Sequence, residues 1–192
     1  LTTLVTDELD FPNLSMVGVD DRAAAYTAVD YLIRQGHRKI AVLGGPVTSY
    51  PSLMRRQGAQ QAMEDAGIVF NDKLYGLSNY DFESAYHAMN SLLARRAEFT
   101  ALFAMSDVIA FGAIRALVSA GLRVPEDVSV IGFDGITMSR YCVPVMTTIV
   151  QPSEQIALQS IELLVRQIEH GSPAQTVTLQ PELQQGESVR AI

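Results

Sequence analysis

Apolar residues follow two alternating patterns along this chain, one typical of helices and one typical of strands. Stretches of about a dozen residues or more place apolar side chains three and four positions apart, which is the spacing of one helix face. Between them lie short runs rich in β-branched residues, typical of strands that are buried on both faces. The predicted helices are 23–33, 53–66, 82–93, 107–120 and 153–169, and the predicted strands are 1–6, 16–19, 39–43, 74–77, 101–104, 128–133, 147–150, 176–179 and 184–189.

Polar residues and glycines mark where these elements begin and end. Asp20 or Asp21 is placed to cap the first helix, and Gly36 supplies the left-handed residue that ends it. Strands that alternate with helices in this order form right-handed βαβ units around a parallel sheet. The pattern therefore predicts an α/β fold of parallel sheets flanked by helices.

The strand over 128–133 leaves an acidic residue, Asp134, at its carboxyl end. In open α/β sheets, ligands bind outside the carboxyl ends of the strands. We expect the polar turns after the neighbouring strands to lie at the same end and to form the wall of a single cleft. These turns are 44–49, 78–80 and 105–107.

Two side chains near this predicted cleft could hold a ligand. Arg55 lies near the start of a helix, and its guanidinium could bind two hydroxyls or a carboxylate at once; a solvated surface arginine is the alternative. Tyr80 could stack on the apolar face of a sugar or on a base, or it could be a partly buried aromatic.

Three further polar residues differ in how well a purely structural role explains them. Ser106 and Asp107 precede a helix, and capping needs these residue types, so a cap is an equally good explanation for them. Asp134 has Gly132 and Gly135 around it, which indicates a tight exposed turn. Asp134 is therefore the stronger ligand candidate.

Composition limits the possible partners. Of 192 residues, 48% are apolar and 18% are charged, as in globular proteins. The net charge of −7 and the absence of a Lys/Arg cluster larger than a pair argue against direct DNA binding by this chain. The single cysteine, Cys142, and the absence of a signal peptide or a membrane-length apolar run predict a cytoplasmic protein.

The sequence motifs argue against an enzyme. The chain has neither a Gly-x-Ser-x-Gly elbow nor a glycine-rich phosphate loop, and its three histidines are dispersed. We therefore expect no cofactor and no metal.

Several motifs that occur in a fixed order resemble one known family. They are Gln-Gly-His-Arg-Lys-Ile-Ala at 35–41, Arg55 with Gly58, Thr-Ala-Leu-Phe-Ala-x-Ser-Asp at 100–107, Gly-Leu-x-Val-Pro-Glu-Asp-Val-Ser-Val-Ile-Gly-Phe-Asp at 121–134, and Arg-Tyr-x-x-Pro-x-x-Thr-Thr-Ile-x-Gln-Pro at 140–152. Together they resemble the lactose/galactose repressor (LacI/GalR) family of bacterial transcription regulators. The resemblance runs from about residue 17 to residue 183.

The resemblance implies a type I periplasmic-binding-protein-like core, in which two α/β lobes joined by three chain crossings hold a ligand between them. Residues 1–36 and 151–170 are expected to form part of the N-terminal lobe. Residues 37–150 and 171–192 are expected to form a complete C-terminal lobe. The family's helix-turn-helix head has no counterpart in this sequence, so DNA contact is expected only through a head domain outside it.

The resemblance also implies residues that contact a small-molecule effector. They are Arg55, Asp134, Tyr80, Ser106, Asp107, Gln151 and Asp20. A donor such as Arg55 paired with an acceptor such as Asp134 suits a polyhydroxylated ligand, and the carboxylate would repel phosphate. We therefore expect a sugar or sugar-like effector, with a nucleobase as the second possibility.

A segment at 136–144 is irregular but carries apolar side chains, and the resemblance places it at a homodimer interface. Ordinary loop packing is the alternative. The interface residues expected are Met138, Tyr141, Cys142 and Val143.

Taken together, the expected function is an effector-binding and dimerisation core of a DNA-binding transcription regulator, in which the ligand alters operator affinity. A solute-binding protein of a sugar transporter, which has the same fold, is the alternative.

Overall fold

The fold alternates strands and helices in the predicted order. A computed structural model describes residues 14–192, so the strand predicted over 1–6 lies outside the described residues. Two short 3-10 helices, Asp72–Leu74 and Thr137–Arg140, interrupt the alternation. The strands and helices are β1 (Met16–Val19), α1 (Asp21–Arg34), β2 (Ile40–Gly44), α2 (Tyr50–Asp65), β3 (Tyr75–Leu77), α3 (Phe82–Ala94), β4 (Ala101–Ala104), α4 (Asp107–Ser119), β5 (Ser129–Asp134), β6 (Thr147–Val150), α5 (Ser153–His170), β7 (Thr176–Leu179) and β8 (Glu182–Gln184).

Six strands form the main sheet in the order β3-β2-β4-β5-β6-β8. All neighbours in it are parallel except β6 and β8, which are antiparallel. Strands β2 and β4 are buried along their whole length, in agreement with their continuous apolar sequences. Because β2 to β5 run in parallel, their carboxyl ends meet at one edge, as the sequence predicted.

Helix α1 packs with the main sheet, which corrects its predicted place in the N-terminal lobe. It packs against α2 and contacts β4 and β6. Its alanine-rich face, including Ala25 and Ala28, is fully buried in the same core as the strands of the main sheet. The apolar stripe of the helix was read correctly, but a stripe does not reveal which sheet it covers.

Strand β7 does not join the main sheet, although residues 171–192 were predicted to belong to the C-terminal lobe. It pairs in parallel with β1 in a separate two-stranded sheet. Only β8 joins the main sheet, and it ends at Gln184, so the strand predicted over 184–189 is wrong beyond that residue. The chain thus crosses between the two sheets after β7, later than expected.

Helix α5 contacts the two-stranded sheet, and Leu163 is its one buried residue. Apart from the half-buried Ile156, its other large apolar side chains are exposed. Acidic and basic residues are interspersed along its 18 residues. Among residues 14–192, no helix combines the length and apolarity that crossing a membrane requires. The exposed apolar residues of α5 are Leu158, Ile161, Leu164, Val165 and Ile168.

The helix boundaries follow the predicted chemistry. The Asp20 carboxylate accepts a hydrogen bond from the Ala23 N–H at 2.9 Å and caps α1. Gly36 then turns the chain with φ of 100°, and a Cβ there would lie 2.4 Å from the Ile192 carbonyl oxygen. This position therefore requires glycine for both its conformation and its close approach to the C-terminal residues.

Candidate functional site

A cavity opens at the carboxyl ends of the main-sheet strands, where the polar turns were expected. Its volume is about 550 Å³, and Arg55, Tyr80 and Asp134 line it together with residues 46 and 48–51, in the turn after β2 and the start of α2. A second cavity of about 370 Å³ shares Arg55 and extends to β1 and β7. The cleft therefore lies between the two sheets, with Arg55 lining both cavities.

Arg55 is a buried residue held by contacts on several sides, so the surface alternative is wrong. Its exposed fraction is 6%. Nε donates to Asp21 Oδ1 at 2.6 Å, and Nη1 donates to the Met105 carbonyl at 2.5 Å. The guanidinium carbon lies 3.6 Å from the centroid of the Phe133 ring, in cation–π geometry. These contacts fix the planar guanidinium in the cleft before any ligand binds.

Asp134 ends β5 and faces the same guanidinium. Its Oδ1 accepts from Gln151 Nε2 at 2.7 Å and lies 3.7 Å from Arg55 Nη1. Burial raises the pKa of the Asp134 carboxyl, and the Arg55 charge and the Gln151 hydrogen bond act against that rise. Sequence reasoning predicted three residues here that the structure brings together: the acid, the arginine and the glutamine.

Tyr80 lies at the cavity wall, with its ring fixed by neighbours. Its hydroxyl is 2.6 Å from Ser52 Oγ. A Cβ on Gly45 would lie 2.0 Å from the Tyr80 ring, so only glycine leaves room for the aromatic. Tyr80 has φ of 59°, a left-handed conformation that is rare for an aromatic residue. The ring therefore forms a fixed part of the cavity wall.

The predicted pair Ser106 and Asp107 does not line these cavities. Ser106 Oγ accepts from the Ile109 N–H at 3.1 Å, so the capping explanation holds for Ser106. The Asp107 side chain is fully buried and accepts from Thr148 Oγ1 at 2.6 Å and from the Ile136 N–H at 2.8 Å. Burial raises the pKa of Asp107 to about 6. Asp107 is neither a cap nor exposed to the cleft.

Asp20 is exposed, and its carboxylate caps α1. The next residue, Asp21, contacts Arg55. Sequence reasoning placed Asp20 in the site and considered Asp21 only as a possible cap of α1. The signal that could have identified Asp21 is its place just after the end of a strand, where ligands of α/β folds bind. Ser52, on the first turn of α2, was also missed.

The balance of charge in the cleft is negative. One cation, Arg55, faces two carboxylates, Asp21 and Asp134. The arrangement offers hydrogen-bond donors and acceptors and an aromatic face, which matches the demands of a neutral polyhydroxylated molecule better than those of an anion. Among residues 14–192, no group of three or more His, Cys, Asp or Glu side chains is arranged to hold a metal ion.

The segment after β5, residues 136–145, is folded back on the buried Ser139. Three of its predicted interface residues point outward, with Tyr141 exposed to 77% and Val143 to 94%, and Met138 also exposed. Cys142 instead turns partly inward, and its thiol donates to the Ser139 carbonyl at 3.2 Å. The segment therefore presents an apolar outer surface without Cys142.

The sequence matches one family of known domains over most of its length. Residues 29–189 match the family described as periplasmic binding protein-like domain. The repressor PurR of Histophilus somni, strain 129Pt, is 35% identical over 181 residues, which cover 94% of this chain and 54% of the relative. The chain thus spans about half the length of the curated relatives it matches.

Solved structures agree with the sequence match. The Escherichia coli transcriptional repressor ascG is 32% identical, with a TM-score of 0.84, and the match covers 96% of this chain and 72% of that one. The transcriptional regulator CelR, in complex with cellobiose, is 33% identical with a TM-score of 0.88, and the match covers 92% of this chain and 54% of that one. These relatives are transcriptional regulators and not enzymes.

Proposed function

Because the chain belongs to the lactose/galactose repressor family of transcriptional regulators, with its periplasmic-binding-protein-like α/β fold, we propose that residues 14–192 bind the effector of such a regulator. The observation that carries the proposal is the preorganised contact of Arg55 with Asp21 and Asp134 at the cavity between the two sheets. A regulator of this family acts in the cytoplasm. The repressor relatives favour this function over that of a solute-binding protein of a transporter.

The proposed effector is a sugar or a sugar-like molecule. Asp134 would accept hydrogen bonds from hydroxyl groups, Arg55 would donate to ring or hydroxyl oxygens, and Tyr80 would cover an apolar sugar face. Two carboxylates beside one cation would repel a phosphate or a carboxylate group. A solved relative with cellobiose bound supports the same class, and a nucleobase remains the second candidate.

The proposed mechanism is linkage between effector and operator. The cleft has one wall on the main sheet and one on β1 and β7, so a bound effector would favour one arrangement of the two sheets. In the whole protein, that arrangement would set the spacing of DNA-binding heads supplied by sequence outside this chain. Such coupling is typically about 1–3 kcal/mol and acts equally in both directions.

The apolar outer surface of 136–145 is the proposed homodimer contact. Met138, Tyr141 and Val143 are exposed there, and large exposed apolar groups commonly mark association surfaces. Sedimentation of the wild type and of Tyr141→Glu tests this proposal. A shift of the variant from dimer to monomer is expected, and a wild type that stays monomeric at high concentration would contradict it.

Calorimetry with a panel of neutral sugars, sugar phosphates and nucleosides tests the effector site. A neutral sugar is expected to bind the wild type, and Asp134→Asn is expected to weaken that binding about 10-fold or more, because a charged acceptor is lost. Asp72→Asn, an exposed carboxylate remote from the cavity lining, is the matched control. Unchanged affinity in Asp134→Asn would refute the site, and preferential binding of a sugar phosphate would refute the effector class.

A further inference from the structure

The buried carboxylate of Asp107 is surrounded by donors from other parts of the fold. Its Oδ1 accepts from Thr148 Oγ1 of β6 at 2.6 Å, and its Oδ2 accepts from the Ile136 N–H at 2.8 Å. The neighbouring Gly135 N–H also favours the ionised form of this carboxyl. Asp107 begins α4, so a single side chain joins this helix to the turn after β5 and to strand β6.

Strand β5 is shaped to admit this carboxylate. A Cβ on Gly132 would lie 2.2 Å from Asp107 Oδ1, far inside contact distance. Any side chain at that position would push the carboxylate away from its donors. The glycine and the acid are therefore fitted to each other across two elements.

Asp107 and Asp134 influence each other directly. The Asp107 backbone N–H favours the ionised form of the Asp134 carboxyl, while the Asp107 carboxylate accepts from the Ile136 N–H, two residues after Asp134. Asp134 has φ of 112°, a backbone conformation that is strained for any residue except glycine. A strained residue persists only where the surrounding structure stabilises its conformation. Asp107 does so for Asp134 through its backbone N–H and its carboxylate.

Hydrogen bonds continue from this turn into the outward-facing segment. The Ile136 carbonyl accepts from the Ser139 N–H at 2.9 Å and from the Ser139 hydroxyl at 2.7 Å. The Ser139 carbonyl in turn accepts from the Met146 N–H at 2.9 Å. An unbroken chain of contacts therefore joins the cleft to residues 136–145.

We propose that Asp107 is a positioning residue, whose buried carboxylate fixes the Asp134 turn and couples the effector cleft to segment 136–145. The coupling rests on the proposed function, whereas the positioning rests only on the contacts described above. Asp107 would act through Asp134 and would not touch the effector, because it is fully buried behind the turn.

Amide hydrogen exchange of the 192-residue chain, measured in wild type, Asp107→Asn and Asp107→Ala, tests the positioning. Asparagine can keep its carbonyl toward Ile136 and turn its amide to the Thr148 hydroxyl, which can accept, so near wild-type protection of 135–146 is expected. Alanine removes every acceptor, and protection there should fall about 10-fold or more. Asp81→Asn alters the cap of α3 instead and should leave 135–146 unchanged.

Two results would overturn the proposal: wild-type protection of 135–146 in Asp107→Ala, or an equal loss in Asn and Ala. If Asp107→Ala does not fold, Thr148→Val removes one donor and keeps the Ile136 N–H. It should lower protection of 135–146 by about threefold, the effect of part of one hydrogen bond, and no change would count against the proposal.

The pH profile adds a readout that a purely structural role would not move. Burial raises the pKa of Asp107 to about 6, and the charged or titratable groups nearby are Asp134, Arg55 beside it and the Cys142 thiol. Between the ordinary pKa and this raised one, only the opened form can release the proton, so wild-type protection of Gly135 and Ile136 should fall as pH rises from about 4 to about 6 and then level off. Protection in Asp107→Asn should change less with pH, because Asp134 alone then titrates in this turn, and equal profiles in the two proteins would contradict the assignment.

These results separate the two proposals. If no sugar binds but exchange responds as expected, positioning by Asp107 stands and the effector class is wrong. If a sugar binds through Asp134 but Asp107→Ala leaves exchange unchanged, the effector site stands and the role of Asp107 is wrong.

Discussion

Replacement of Arg55 by methionine is the sharpest test of the preorganised cleft. Methionine keeps much of the aliphatic volume of the side chain but removes the charge and all of its donors. It leaves the carboxylates of Asp21 and Asp134, whose side chains are only 16% and 26% exposed, without their cation. It also leaves the Met105 carbonyl without its donor and removes the cation–π contact with Phe133.

The size of the effect follows from this burial. Removing one partner of a buried ion pair costs about 3–5 kcal/mol, and the partial exposure of both carboxylates reduces this to roughly 2–3 kcal/mol. The lost carbonyl hydrogen bond and ring contact add roughly 1 kcal/mol. A total of about 3–4 kcal/mol corresponds, for a chain of this length, to a fall in Tm of roughly 10 °C.

Urea unfolding followed by circular dichroism measures this loss. Much of the lost stability comes from the Asp21 carboxylate, which is left without its cation. Asp21→Asn added to Arg55→Met should therefore lower the stability little further, giving a coupling energy of about 1–3 kcal/mol. Arg56→Met is the control, since that neighbour pairs with an exposed acid and should cost only about 1 kcal/mol. A loss below about 1 kcal/mol in Arg55→Met, with additive double-variant energies, would refute this account.

Three further predictions concern single contacts. Because the pKa of Asp107 is raised to about 6, the stability of the wild type relative to Asp107→Asn, measured by urea unfolding, should fall by up to about 3 kcal/mol as pH rises from about 4 to about 6, and a constant difference would contradict this. Gly132→Ala should cost about 1–3 kcal/mol by overpacking against that carboxylate, and adding Asp107→Ala should recover part of the loss; strict additivity would contradict the contact. Tyr80→Phe should cost about 1 kcal/mol through the lost hydrogen bond to Ser52, and Ser52→Ala should then add little; a second equal loss would argue against the pair.

The fold class could be read from the sequence because local chemistry determines most of it. The αL glycine at 36 and the capping acid at 20 depend on neighbours a few residues away, and both behave as predicted. The apolar runs of β2 and β4 likewise require burial on both faces, wherever they lie in the sheet.

The assignment of elements to sheets could not be read in the same way. The stripe of α1 specifies that one face is buried, but its burial with the main sheet depends on packing against α2, which is distant in sequence. Strand β7 has an ordinary alternating pattern, and nothing local in it distinguishes pairing with β1 from pairing with β6. Partner choice is a tertiary property, so these assignments failed.

The site shows the same division. Asp134 lies at a strand end and Gln151 follows the next strand. Parallel-sheet geometry brings these two positions together, so their contact could be predicted. The inward rotation of Asp107 was not, because it depends on the space left by Gly132 on another strand. An acid that looked like a cap or a ligand contact is instead buried behind the cleft.

A crystal structure of the chain with the best-binding neutral sugar of the panel tests the central claim most directly. We expect the sugar in the cavity between the two sheets, with hydroxyl oxygens about 2.6–3.2 Å from the Asp134 carboxylate and the Arg55 guanidinium, and its apolar face on Tyr80. A sugar bound elsewhere, such as the groove lined by Arg38, Met63 and Glu98, with no contact to Arg55 or Asp134, would contradict the account.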